Sequence, residues 1–220
     1  MAAGGMNIGG DGLGAGIPIC LPIQSIHLTH RNSLHHHLIG NLSVVSTMAQ
    51  IAQIQINHLP VEDRMLLRMA TSEGQEYRLW LTRRYVKLLG PILKEIAAGH
   101  PIVQAQQDLA ARETIAAFEH ERAMHGQDFT TPFHEQERAL PLGDAPILLS
   151  RIEVRDLPDG LKMLRMHPEL GLGIDLTLDY RLLHALIAVL DAGLGRSEWD
   201  LPTISSPLSL TERDPKVTVN

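Results

Sequence analysis

Apolar and polar side chains alternate over residues 52–59, with Ile54 and Ile56 on one side and Gln53, Gln55 and Asn57 on the other. A period of two predicts a half-buried strand. Pro60-Val61-Glu62-Asp63 reads as a turn, and residues 64–70 as a second strand with Met65, Leu67 and Met69 on one face. Ser72-Glu73-Gly74 supplies a hairpin turn. Residues 76–81 form a third strand with Tyr77, Leu79 and Leu81 inward. The period then changes. Val86, Leu89, Leu93 and Ile96 recur at helical spacing behind Thr82, a residue that caps helix N-termini. Gly99-His100-Pro101 ends this helix. Pro91 predicts a kink in it, because it donates no bond to the Lys87 carbonyl.

The same order returns further along. Residues 147–154 read as a strand, Pro158-Asp159-Gly160 as a turn, and residues 161–166 and 172–178 as two more strands around Glu169-Leu170-Gly171. A helix follows from about Asp179 to Ala192, with Leu182, Leu183, Leu186, Ile187 and Leu190 apolar and Gly193 as its stop. The letters repeat as well. Leu67-Arg68-Met69 matches Leu164-Arg165-Met166 at a shift of 97 residues, whereas Leu81-Thr82 and Tyr85 match Leu176-Thr177 and Tyr180 at 95. One turn is then two residues shorter, and Asp175 takes the position of Trp80.

Each unit is thus three antiparallel strands and a helix, too little to bury its own sheet. The expected fold is α+β: two βββα units, 48–101 and 145–201, related by a pseudo-twofold, with antiparallel sheets and the helices on one face. A linking helix at 102–125 joins them, with Leu109, Ile115 and Phe118 as its apolar residues. Residues 127–146 read as a polar loop and residues 202–220 as a flexible tail. Residues 1–47 show no persistent period and are expected to be unstructured. Met48 reads as the natural start, with an upstream extension before it; a flexible arm is the alternative reading.

Composition narrows the function classes. The chain has 220 residues, 44% of them hydrophobic, and an acidic excess with formal net charge −6. That balance argues against a general affinity for nucleic acid or anionic lipid. No apolar run reaches membrane-spanning length, so no membrane partner is expected. The single cysteine, Cys20, excludes an internal disulfide and fits a reducing, cytoplasmic compartment.

Candidate chemistry is sparse. His35-His36-His37 lies on an aperiodic segment, and His120 and His125 are one residue too far apart to share a helix face as zinc ligands do. The glycine run at residues 9–16 has neither the strand before it nor the helix after it that phosphate binding requires. Paired carboxylates fall in turns, and no nucleophile elbow occurs. No catalytic residue, metal or cofactor is therefore expected. The one lead is the outer face of the first unit, where Arg64, Arg68, Arg78 and Trp80 meet Arg83 and Arg84 at the helix start. Arginine beside tryptophan suits stacked bases and phosphates, and suits a protein interface equally. The alternative is that Trp80 packs under the linking helix while the arginines pair with Glu113, Glu119 and Glu121.

EDRMLLRMATSEGQEYRLWLTRR, then PLGDAPILL and a closing SEWDL, resemble a family of short proteobacterial hypothetical proteins, over about residues 48–201. That resemblance implies a bacterial protein and carries no site. A second, architectural likeness is to the Pur-alpha and Whirly class of single-strand nucleic-acid binders, whose repeated units have four strands and more exposed aromatics. The reading that follows is a non-enzymatic cytoplasmic bacterial interaction or assembly module with an unidentified protein partner. The runner-up is a single-stranded nucleic-acid binder.

Overall fold

The computed structural model describes residues 17–20, 28–29 and 50–205. In chain order the elements are β1 (Ile17–Cys20), β2 (Leu28–Thr29), β3 (Ile51–Leu59), a 3-10 turn at Pro60–Glu62, β4 (Arg64–Thr71), β5 (Glu76–Thr82), α1 (Arg83–Ala98), α2 (Pro101–Gln104), α3 (Leu109–Met124), β6 (Ile147–Leu148), β7 (Arg151–Asp156), β8 (Lys162–His167), β9 (Ile174–Leu178) and α4 (Tyr180–Leu194). The fold is α+β. One sheet has the order β1-β3-β4-β5-β6 and the other β2-β9-β8-β7.

The alternating pattern sets the inner faces. Met65, Leu67 and Met69 on β4 and Leu79 and Leu81 on β5 are fully buried. Leu164 and Met166 on β8 and Ile174 and Leu176 on β9 do the same in the second sheet. A single apolar cluster takes in both inner faces together with Val86, Leu89 and Leu93 of α1 and Leu182, Leu186 and Leu190 of α4. The side chains of Thr82 and Asp179 cap α1 and α4 by accepting from Tyr85 N and Leu182 N. Helix α1 runs unbroken through Pro91.

Several expectations need correction. The run at 147–154 is two strands in different sheets. Ile147–Leu148 pairs in parallel with Leu79-Trp80, so the first sheet is mixed rather than purely antiparallel, and the chain crosses to the second sheet at Leu149-Ser150. The register does not shorten from β4–β5 to β8–β9, although the hairpin before it, β7–β8 against β3–β4, is one residue shorter. Leu67 opposes Leu79 and Leu164 opposes Leu176; Arg68 opposes Arg78 and Arg165 opposes Asp175. These pairs and the two caps all keep the offset of 97, so Asp175 corresponds to Arg78 and not to Trp80. Gly193 is no stop, for α4 continues to Leu194. A Cβ there would sit 3.1 Å from Met65 Sδ and 3.2 Å from Ile56 Cγ2, so the glycine lets α4 approach β3 and β4 closely.

The linking segment is two helices, and α3 turns an unexpected face inward. Glu119 and Ala123 are buried, while Leu109 and Phe118 are exposed. The N-terminal segment is not featureless where it is described: β1 pairs with β3 and β2 with β9, both antiparallel. The glycine run at 9–16 and the His35-His36-His37 triplet lie outside the described residues. So does the tail after Ser205; before it, Ile204 is buried and its N–H, like that of Ser205, donates to Asp191.

Candidate functional site

Each sheet has an outer face, turned away from the apolar cluster, and the two faces differ in what covers them. On the first, the inward alternation of β4 and β5 leaves Arg68, Glu76, Arg78 and Trp80 outward. The segment 127–146 crosses this face. Phe133 is buried beneath it, Glu76 N donates to Ala139 O at 2.9 Å, and His134 N donates to Gln53 Oε1 at 3.1 Å. The segment expected to be too polar for burial thus closes the sheet.

Glu76 is the hub of this contact. Its side chain is 1% exposed, and it accepts from Arg68 Nε at 2.9 Å, Arg78 Nε at 2.8 Å and an Arg138 Nη1 at 3.3 Å. Arg68 also donates to Glu135 Oε2 at 2.8 Å, and its guanidinium stacks 4.2 Å from the Phe133 ring. Burial opposes the charge on Arg68, but the hydrogen bonds it donates to Glu135 and Glu76 outweigh it and raise the pKa. Burial likewise opposes the charge on Glu76, and the bonds from Arg68 and Arg78 outweigh it and lower the pKa.

The six residues singled out from the sequence therefore separate. Arg68 and Arg78 are occupied by Glu76. Arg64 bonds Glu62 and lies 3.9 Å over the ring of Trp80, which is half-buried beside Leu66 and Leu148. Arg83 and Arg84 stand exposed at the start of α1. The linking helix supplies none of their partners: its Glu119 bonds Arg122 and the Tyr180 hydroxyl.

Among the described residues no segment crosses the second sheet's outer face, which is exposed along β7 and half-buried along β8, while Asp175 and Thr177 on β9 are buried. Arg165 on β8 donates to both oxygens of Asp175 at 3.2 Å and to Glu153 at 2.7 Å. His167 Nε2 lies 2.6 Å from Asp175 Oδ1, and Arg151 donates to Glu169 at 2.7 Å. Arg151, Glu153, Arg165, His167 and Glu169, with Pro168, Leu170 and Gly171, line a cleft of about 320 Å³, and Asp175 lies behind it. Gly173 shapes it, because a Cβ there would strike the Met166 carbonyl oxygen and lie 2.6 Å from His167 Cγ. By register Arg165 occupies the place of Arg68 and Glu153 that of Gln55. Sequence reasoning noticed Asp175 alone here. The signal it passed over was the alternation Arg151, Glu153, Arg155 on one face of a strand.

A second polar cluster joins the helices. His120 Nδ1 lies 3.0 Å from His184 Nδ1, and Tyr180 packs edge-on against His184 at 4.7 Å between ring centroids. Burial, then the neighbouring His120, pushes His184 down to about 4. Among the described residues no group of three or more His, Cys, Asp or Glu is placed to hold a metal ion, and no helix is long and apolar enough to cross a membrane. No family model, curated protein or solved structure matches the chain.

Proposed function

We propose that this protein is a non-enzymatic interaction module made of two βββα units related by a pseudo-twofold, and that it docks a protein partner on the second unit. What supports the duplication is the shared offset of 97 that relates the β4–β5 pairs and the cap of α1 to the β8–β9 pairs and the cap of α4. What carries the functional reading is one contrast. Residues 127–146 close the face over β4 and β5, whereas among the described residues no segment covers it over β8 and β7, where charged groups surround a cleft. Mixed Arg and Glu at the rim of such a face suit a protein surface of alternating charge rather than a polyanion. A cytoplasmic location belongs to this proposal, supported by the single cysteine.

Leu170, 87% exposed on the cleft, and Val61, 99% exposed at the far turn, provide the test. A photo-crosslinking side chain at Leu170 is expected to give a discrete heavier adduct in cells, and the same group at Val61 none. Absence of an adduct from Leu170 would overturn the reading. In place of it would stand the nucleic-acid alternative if the chain shifted single-stranded DNA or RNA at moderate salt and Arg83→Glu with Arg84→Glu abolished the shift, since those are the candidate arginines left uncovered.

A further inference from the structure

We infer that the partner of the β7 edge is a second copy of this chain, paired strand to strand in antiparallel fashion with Val154 on the twofold axis. This deepens the interaction reading and rests on it.

Strand β7 ends its sheet: β8 pairs with one side, and among the described residues nothing pairs with the other. An edge strand presents half its N–H and C=O groups for pairing, and proteins commonly guard such edges with inward-pointing charge or proline. The strand holds no proline, and its inward charge lies at its end rather than at its centre. By register Ile152 and Val154 share the inner face with Met166 and Leu164, while Arg151, Glu153 and Arg155 share the outer face with His167, Arg165 and Met163. Val154 is 37% exposed although it lies on the apolar side, so the core stops short of covering it. The one inward charge, Asp156, sits at the strand's end and bonds Lys162.

Self-pairing has few registers, and charge selects among them. With Glu153 on the axis, Glu153 would face its own copy and Arg151 would face Arg155, which is repulsive. With Ile152 on the axis, three strand residues are paired. With Val154 on the axis, five are paired: Val154 covers Val154, Glu153 and Arg155 face each other twice across the seam, and at either end Ile152 faces Asp156, whose charge Lys162 already holds. The Arg151 carbonyl, which already accepts from the Tyr85 hydroxyl at 3.3 Å, falls outside the five. The pairing is isologous, as a closed dimer requires. A single strand pair buries less than the area of a standard interface, so the dimer should be reversible.

Sedimentation equilibrium of the full chain tests this. The protein is expected to dimerise. Arg155→Glu and Glu153→Arg each create two like-charge pairs and should each weaken the dimer by at least about tenfold, with near-native circular dichroism. Mixed together, the two variants should form a heterodimer, because each then meets its opposite. In a Cys20→Ser background, Val154→Cys should oxidise to a covalent dimer and Glu153→Cys should not, since only the axial residue faces itself. A monomeric wild type, a dimer indifferent to both charge variants, or a failure of the mixture to associate would overturn the inference. So would equal crosslinking at positions 153 and 154. A monomeric wild type that still yields a heavier adduct from Leu170 would leave the interaction reading standing with a different partner.

Discussion

Glu76 shows how one carboxylate sets the state of a whole face. Three guanidinium groups converge on a side chain that is 1% exposed. Removing one member of a buried ion network leaves the others charged and unpaired, which costs about 3–5 kcal/mol. Glu76→Gln should therefore lower the unfolding free energy by about 3 kcal/mol in urea melts. The His120–His184 contact makes a different prediction. One ring must donate and the other accept, so the bond fails when both are protonated. In the unfolded chain a histidine titrates near its ordinary value of about 6.5, whereas His184 is held down at about 4 in the fold. Between those values the unfolded state binds more protons, so stability falls as the pH drops through that window. Chemical melts should show a loss of roughly 2 kcal/mol between pH 7 and pH 4.5 from this group. His184→Gln should flatten that slope; an unchanged slope would place the acid sensitivity elsewhere.

At the scale of elements, the segment 127–146 is a strap. It has no helix and no strand, yet Phe133 is 5% exposed and its neighbours bond the edge of β5. Phe133→Ala should cost about 3 kcal/mol through lost burial and a cavity. Trp80→Ala, at a half-buried ring with Arg64 above it, should cost less, about 1–2 kcal/mol. Thermal melts of the two variants separate the contributions of strap and exposed ring. Were Trp80→Ala the more damaging, the strap would be an ornament on the sheet and not its cover. The polar composition of the strap hid this role. Alternation reports burial only where a regular period exists, and a loop that contributes one aromatic anchor and two ion pairs has none. Helix α3 misled for a related reason. Its inner face is chosen by contacts with α4, where the Tyr180 hydroxyl donates to Glu119 and His184 meets His120, so Phe118 points outward.

For the whole molecule, the N-terminal strands decide how the two sheets end. β1 covers the edge of β3, and β2 covers that of β9. A chain beginning at Met48 should still carry the apolar cluster, but with two bare edges. It should melt several degrees lower and aggregate more readily than the full chain. Equal melting temperature and solubility would show that the two short strands contribute nothing. Trp199 performs the corresponding closure at the other end: it is buried, and its indole N–H donates to Asp63 in the turn before β4. Both closures join residues far apart in the chain, so neither unit's surface is complete without distant segments.

The alternation of Met65, Leu67, Met69 and Leu79, Leu81, the cap Thr82, and the helical spacing of α1 and α4 were legible in the sequence, because each depends on neighbours within a few residues. So was the α+β class. The shared offset of β4–β5 and β8–β9, the crossing between sheets at Leu149-Ser150, and the closure of the first outer face by residues 127–146 were decided by tertiary structure. Those features depend on which edge a strand finds and which carboxylate reaches a guanidinium. Glu76 and Arg138 are 62 residues apart, and no local period encodes that meeting.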